Sequence, residues 1–408
     1  MLEHLRVLDL TDERGLLCGR LLADLGADVV QVEPAGGSSA RQAPPLPGAA
    51  TATSMFWEAY AAGKRGVALD LDAEGDVADL RRLAAVADVV VTSWPRALLE
   101  RLGLDPATLR ADRPELICTV VSAFGWDGPK ASYADTDLVV WAAGGPLAPH
   151  RDGDLPPLRI SVPQAFLHAA ADAAAGTMLA VLARGTTGRG QVVDVSAQEA
   201  VGVATLARVL ATAVGDDHPE WQTTPGVRTG RTDQSGSGAA TPNSLKKWHC
   251  ADGMVELHLS MGPAAGGFTN NLFAWLAQES AVSEEIAAWD WRVLPERLVS
   301  GELTHDDLDE ARAAVRAFLL TKTKAEVLDA AIGRRLLCMA IFDMADIAGS
   351  PHLAERGFWG EVAVGERDVR IPGRMAQVRG PEGPRVRGRA PALGEHNDVV
   401  LKEWLGRA

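Results

Sequence analysis

His168 and Asp172 stand four residues apart in a stretch, Val162 to Ala200, that reads as a long alanine-rich helix, a Gly-rich turn at Thr187-Gly188-Arg189-Gly190-Gln191 and a strand at Val192–Ser196. One helical turn brings the imidazole beside the carboxylate, so a local side-chain pair is expected; an acid–base dyad or a metal site would need more. The nine histidines are scattered, and neither HxxxH nor HExxH occurs, so no metal is expected. No GxSxG elbow is present. Ser161, ahead of Val162-Pro163, has the spacing of a helix N-cap followed by Pro in the first turn. Glu33 ends an apolar run where a nicotinamide enzyme would place its ribose-binding acid. The turn before it, Gly15-Leu16-Leu17-Cys18-Gly19, is not GxGxxG, so NAD is not expected, and Gly15 and Gly19 read as helix-packing residues. Gly266-Gly267, inside the segment 262–268, reads as an ordinary loop or as a mobile flap over a pocket.

The elements that must position these residues come from 408 residues, enough for two or three ordinary domains or one large intertwined unit. Hydrophobic residues make up 47%, in the range of a soluble globular protein. A formal charge of −14 argues against binding to nucleic acid or an anionic membrane, since both need clustered Lys and Arg. Cys18, Cys118, Cys250 and Cys338 are far apart and set among apolar residues, which predicts buried free thiols. The N-terminus lacks the basic-then-apolar pattern of a leader, and no uncharged apolar run reaches 18 residues. A cytoplasmic protein is the expectation.

Short apolar strands alternate with helices through the first half. Arg6–Leu10, Asp28–Glu33, Gly66–Leu71, Asp88–Thr92 and Leu116–Val121 read as strands. Leu16–Leu25 reads as a helix with one leucine face, and Asp72 as the cap of another. This rhythm predicts a parallel, doubly wound sheet. Residues 223–244 are rich in Gly, Ser, Thr and Pro, as in a linker. Trp248–Ser260 reads as a hairpin turning at Ala251-Asp252-Gly253. Asp306–Leu320 and Lys324–Ile332 read as helices, the second with the capping-box pair Thr323 and Glu326, and Asn397–Leu405 as a terminal helix.

Several segments, in order, resemble the class III CoA transferases: the relatives of formyl-CoA transferase, carnitine-CoA transferase and the bile-acid-inducible F-like transferases, together with α-methylacyl-CoA racemase. The opening VLDLT…LLADLGADVVQVEP is similar to the family's start, and so is GKRGVALDL at Gly63–Leu71. LLERLGLDPATLRADRPELI, SAFGWDGP, TGRGQVVDVS, HCADG, SPHLAERGFW and APALGEHN follow in the family's sequence. The resemblance implies an α/β fold: a Rossmann-like large domain built from both termini (1–215 and 351–408), a linker (216–247), and a smaller middle α+β domain (248–350), in an interlocked-ring dimer.

It also implies the chemistry. The family's aspartate attacks an acyl-CoA thioester, and CoA then passes through an enzyme-bound thioester to an acceptor acid. Counting from Gly176 and from Thr187-Gly188 puts that aspartate at Phe166: the family's VPVAD-like pattern reads VPQAF here. The racemase histidine falls at Thr136. Asp137 matches an acidic position near the family's active site; its other reading is a helix N-cap for Leu138–Ala143. For coenzyme A or acyl-CoA as substrate, the resemblance implies Arg41, Lys64, Arg65 and Arg101 as contacts, Trp94 near an adenine-flanking aromatic, and Gly266 and Gly267 as the flap. The turn facing CoA is altered, since the family's Ala-Gly-Pro reads Arg14-Gly15-Leu16. Three functions follow as expectations: CoA transfer between carboxylic acids without the usual Asp, a non-catalytic subunit in a heteromer with a competent homologue, or other CoA-ester chemistry such as isomerisation or elimination. Either a homodimer or a heteromer fits.

Overall fold

A computed structural model describes residues 1–46, 54–147, 156–160, 162–203, 210, 213–215, 246–364, 367–374, 376–378 and 383–406. Two compact units are formed, the first from Met1–His150, Pro157–Asp217 and Pro351–Ala408, the second from Arg151–Pro156 and His218–Ser350. The expected linker 216–247 lies outside the described residues except for its last two positions, and Ser161 lies outside them too.

In the first unit, strands β1 (Arg6–Leu10), β2 (Asp28–Pro34), β3 (Arg65–Leu69), β4 (Val89–Thr92), β5 (Ile117–Ser122) and β6 (Val192–Ser196) form one parallel sheet in the order β3-β2-β1-β4-β5-β6. Both faces of the sheet are covered, so the strands are apolar on both sides rather than alternating with polar residues. Val7, Val29, Val89 and Ile117 pack under helices α1 (Leu16–Asp24) and α6 (Ala165–Thr187). Their neighbours Leu8, Val30, Val90 and Cys118 pack under α3 (Glu74–Val86), α4 (Arg96–Leu102) and α11 (Asn397–Leu405). The strand order reverses between β1 and β4, which leaves a crevice at their carboxyl ends, where doubly wound sheets bind ligands.

Local chemistry sets the details. A Cβ on Gly15 would stand 2.5 Å from Thr11 Cγ2, and one on Gly19 would strike the Asp9 carboxylate, so both glycines let α1 lie close on β1. Asp72 does not cap α3. The helix starts at Glu74 behind Ala73, and the Asp72 N–H donates to Asp70 Oδ1 (3.0 Å). By length and composition α6 would pass for a membrane span, but its Ala169, Ala173, Ala174 and Ala180 face is buried in the sheet core.

The second unit packs a three-stranded antiparallel sheet, β7 (Lys247–Cys250), β8 (Gly253–Leu257) and β9 (Cys338–Ile341), against α8 (Gly266–Gln278), α9 (His305–Leu319) and α10 (Lys324–Arg334). Its core is aromatic: Phe273 stacks on Trp291 (centroids 5.0 Å apart), and Trp275 meets Phe318 edge-on (4.7 Å). Gly266 and Gly267, expected in a loop or a flap, lie at the start of a helix. They form the first turn of α8, where the Gly266 N–H bonds the Gly262 carbonyl (2.8 Å) and a Gly266 Cβ would lie 2.5 Å from the Trp291 carbonyl carbon.

Candidate active site at the start of the long helix

Helix α6 begins at Ala165 with no side chain of its own as cap. The cap comes through space from Asp137, the first residue of α5 (Asp137–Gly144). Asp137 Oδ1 accepts from the N–H groups of Gln164 (2.7 Å) and Ala165 (2.8 Å), and Oδ2 pairs with Arg159 Nη1 (3.2 Å). Helix α5 is capped separately by the Thr136 hydroxyl, which accepts from Val139 N–H (3.3 Å). Asp137 therefore caps the neighbouring helix and not its own, correcting the N-cap reading. Among the described residues, the next two N–H groups of α6, those of Phe166 and Leu167, have no partner. They lie at the positive end of a 23-residue helix.

Phe166 stands at this helix start, half-buried, and lines a cleft of about 700 Å³. Phe56 and Tyr60 of α2 (Met55–Tyr60) and Ile371 of the strand Arg367–Pro372 line the same cleft. Three carboxylates line the cleft, and each already has a partner: Asp137 caps α6, Asp135 holds Arg14 Nη1 (3.3 Å), and the exposed Glu13 accepts from the Ser39 hydroxyl. A phenyl ring can neither attack a thioester nor carry a proton. The arrangement can hold an acyl group and stabilise negative charge on its carbonyl oxygen at the Phe166 and Leu167 N–H groups.

A second cleft of about 580 Å³ opens at the carboxyl ends of β4 and β5 and includes Trp94, Arg96 and Trp126. Arg96 lies over the Trp126 ring (4.9 Å). Arg14 and Asp135 border both clefts. The Arg14 guanidinium grips Asp12 (Nη2–Oδ2 2.6 Å), and Asp12 Oδ1 accepts from the Ser93 hydroxyl (2.7 Å). Burial opposes the Arg14 charge, but the hydrogen bond to Asp12 and the charges of Asp12, Asp135 and Glu13 outweigh it and raise the pKa above the ordinary value. Spacing did not single out Arg14 as a binding group; the only signal was its place in the altered turn after β1. Phe56 and Tyr60 were also missed, although their separation of four residues on a helix puts them on one face.

The residues expected at CoA have different fates. Trp94 borders the second cleft. Lys64 is a correction. Its ammonium has no exposure and donates to Asp9 Oδ2 (2.7 Å), the Leu16 carbonyl (2.9 Å) and Gln31 Oε1 (2.9 Å), leaving no donor for a phosphate. Arg41 forks onto Glu33 (2.6 and 2.7 Å) and lies over the Trp57 ring (3.9 Å). Arg65 pairs with Asp28 and Glu403 at the other end of the sheet, where β3 starts. Arg101 is half exposed beside Asp72 (3.2 Å). Neither Arg65 nor Arg101 borders either cleft. His168 is exposed, and its ring meets Trp141 edge-on (6.5 Å) rather than pairing with Asp172.

A doubly wound α/β sheet with clefts at its carboxyl edge defines the class of fold, one in which ligands bind at the strand-order switch. Residues 2–397 match the family described as CoA-transferase family III, and the chain belongs to that family. It is 30% identical to the succinyl-CoA:(R)-benzylsuccinate CoA-transferase subunit BbsE of Thauera aromatica, over 98% of this chain and 93% of that one. It is 27% identical to the succinyl-CoA:mesaconate CoA-transferase of Haloarcula hispanica, over 98% and 96%. The crystal structure of a CAIB/BAIF family protein from Brucella suis shares the fold, with a TM-score of 0.77 at 23% identity over 98% of each chain.

Proposed function

We propose that this chain acts on acyl-CoA thioesters in the transfer of CoA between carboxylic acids, as one subunit of a hetero-oligomer whose other, homologous chain supplies the attacking carboxylate. The observation that carries this reading is Phe166: an apolar ring stands at the α6 N–H groups that have no partner among the described residues, and every carboxylate lining the cleft already has a partner. The acyl carbonyl sits at those N–H groups, which draw charge onto its oxygen as a carboxylate from the partner attacks. The pantetheine and nucleotide extend past Arg14 toward Trp94 and Arg96, where aromatic faces and a guanidinium suit adenine and phosphate. The exchange needs neither a metal nor a nicotinamide. A similar 30% identical chain is itself called a subunit, which supports a partnered assembly.

Interlocked rings are the proposed form of that assembly. Leu179 (68% exposed) and Leu182 (74%), one turn apart, project from α6 as an apolar patch that a second chain would cover. A reducing cytoplasm is the proposed compartment. It is supported by four free thiols, of which Cys118 and Cys338 are pushed up to about 12 by burial.

Mass spectrometry after mixing with acyl-CoA tests the reading. The purified chain shows no covalent acyl or CoA adduct, and Phe166→Asp gains one at residue 166. A wild-type adduct on one of its own carboxylates, with transfer by the chain alone, overturns the partnered reading. Failure of the chain to bind any CoA thioester overturns the whole.

A further inference from the structure

The 700 Å³ cleft is lined by charged groups and by three aromatic rings, and its size exceeds what a formyl or acetyl group fills. Phe56 and Tyr60, one turn apart on α2, meet edge-on with centroids 4.6 Å apart. Both are half-buried and open to the cleft. The wall is backed rigidly. Trp57, between them in sequence, is fully buried, donates its indole N–H to the Pro391 carbonyl (3.2 Å) and lies under the Arg41 guanidinium. Phe166 lines the same cleft at the start of α6, beside the two N–H groups that have no partner among the described residues.

We infer that this cleft seats the acyl part of an aryl-acyl-CoA, the ring held among Phe56, Tyr60 and Phe166 and the thioester carbonyl at the N–H groups of Phe166 and Leu167. The inference rests on the reading that the chain takes acyl-CoA, and it names the acyl class. A short acyl group would leave three aromatic faces against water, whereas an aryl ring buries them and gains edge-to-face contacts. Phe166 then has a positive role: at the position where an acid would attack, its ring completes the binding wall.

Calorimetric titration of the full chain with acetyl-CoA, phenylacetyl-CoA, free acetate and free phenylacetate tests this. Phenylacetyl-CoA is expected to bind at least about tenfold more tightly than acetyl-CoA. Phe56→Ala is expected to narrow that gap to about threefold, and Tyr60→Phe, which keeps the ring, to preserve it. Should Phe56→Ala fail to fold, Phe56→Leu replaces it, with the gap again expected to shrink. Equal affinity for the two thioesters overturns the inference and leaves the CoA reading intact. Binding of phenylacetate over acetate with no thioester bound overturns the CoA reading and leaves the aryl wall. No binding by any of the four overturns both.

Discussion

Lys64 holds a charge in a site without solvent, and three acceptors, one of them the Asp9 carboxylate, surround its ammonium. Desolvation lowers its pKa, and the Asp9 charge and hydrogen bond work against that fall. Removing one partner of a buried pair leaves the other uncompensated, so Lys64→Ala is expected to cost about 3–5 kcal/mol in urea unfolding. The exposed Arg101→Ala should stay within about 0.5 kcal/mol. A phosphate-binding lysine would show the reverse pattern, with weaker CoA binding and unchanged stability. Asp24 gives a pH signature. Burial pushes its carboxyl up to about 6, partly offset by Arg20 at 2.9 Å. The folded value lies above the ordinary one, so the protonated form favours the fold. That contribution is complete below about pH 4 and is lost as pH rises through 6. The stability of the wild type relative to Asp24→Asn should therefore fall by about 2 kcal/mol between pH 4 and pH 7.5. A relative stability that rises over this range would contradict the assignment.

At the scale of elements, α6 depends on a residue 28 positions before its first turn, because Asp137 accepts from both Gln164 and Ala165. Deleting that carboxylate frees two N–H groups and removes a negative charge from the positive end of the helix. Asp137→Ala is expected to cost about 1–2 kcal/mol, and hydrogen exchange should quicken in the first turn of α6 before anywhere else in the sheet unit. Asp137→Asn, which keeps one acceptor oxygen, should recover part of the loss. If Asp137 were instead the reacting acid, the wild type would form an adduct at residue 137, and Asp137→Asn would abolish it while leaving unfolding unchanged.

For the whole molecule, the exposed stripe on α6 sets the expected behaviour in solution. Two large leucines facing water favour association, and interlocked chains would share that surface. Light scattering of the wild type should give at least twice the 43.1 kDa chain mass, and Leu179→Glu with Leu182→Glu should lower it. Co-expression with a homologue that keeps the aspartate should yield a mixed complex that transfers CoA, whereas a mixture that never associates would contradict the subunit reading.

Periodicity by itself was enough for some of the elements. Arg6–Leu10, Val192–Ser196 and Asn397–Leu405 run as expected, and the Thr323–Glu326 capping box forms, because each depends on neighbours within a few residues. The ordered motifs were likewise enough for the family. Partners distant in sequence decided the rest. Lys64 turns inward because Asp9 and Gln31, 55 and 33 residues away, converge on it. Asp137 caps a helix other than its own, Gly266 lies inside a helix because the Trp291 backbone crosses it, and Arg14 stands between two clefts because β1 and β5 bring Asp12 and Asp135 to either side. Local sequence encodes helix and strand through short-range backbone geometry. Where a charge ends up depends on which distant groups share its burial, and that is a property of the packed structure.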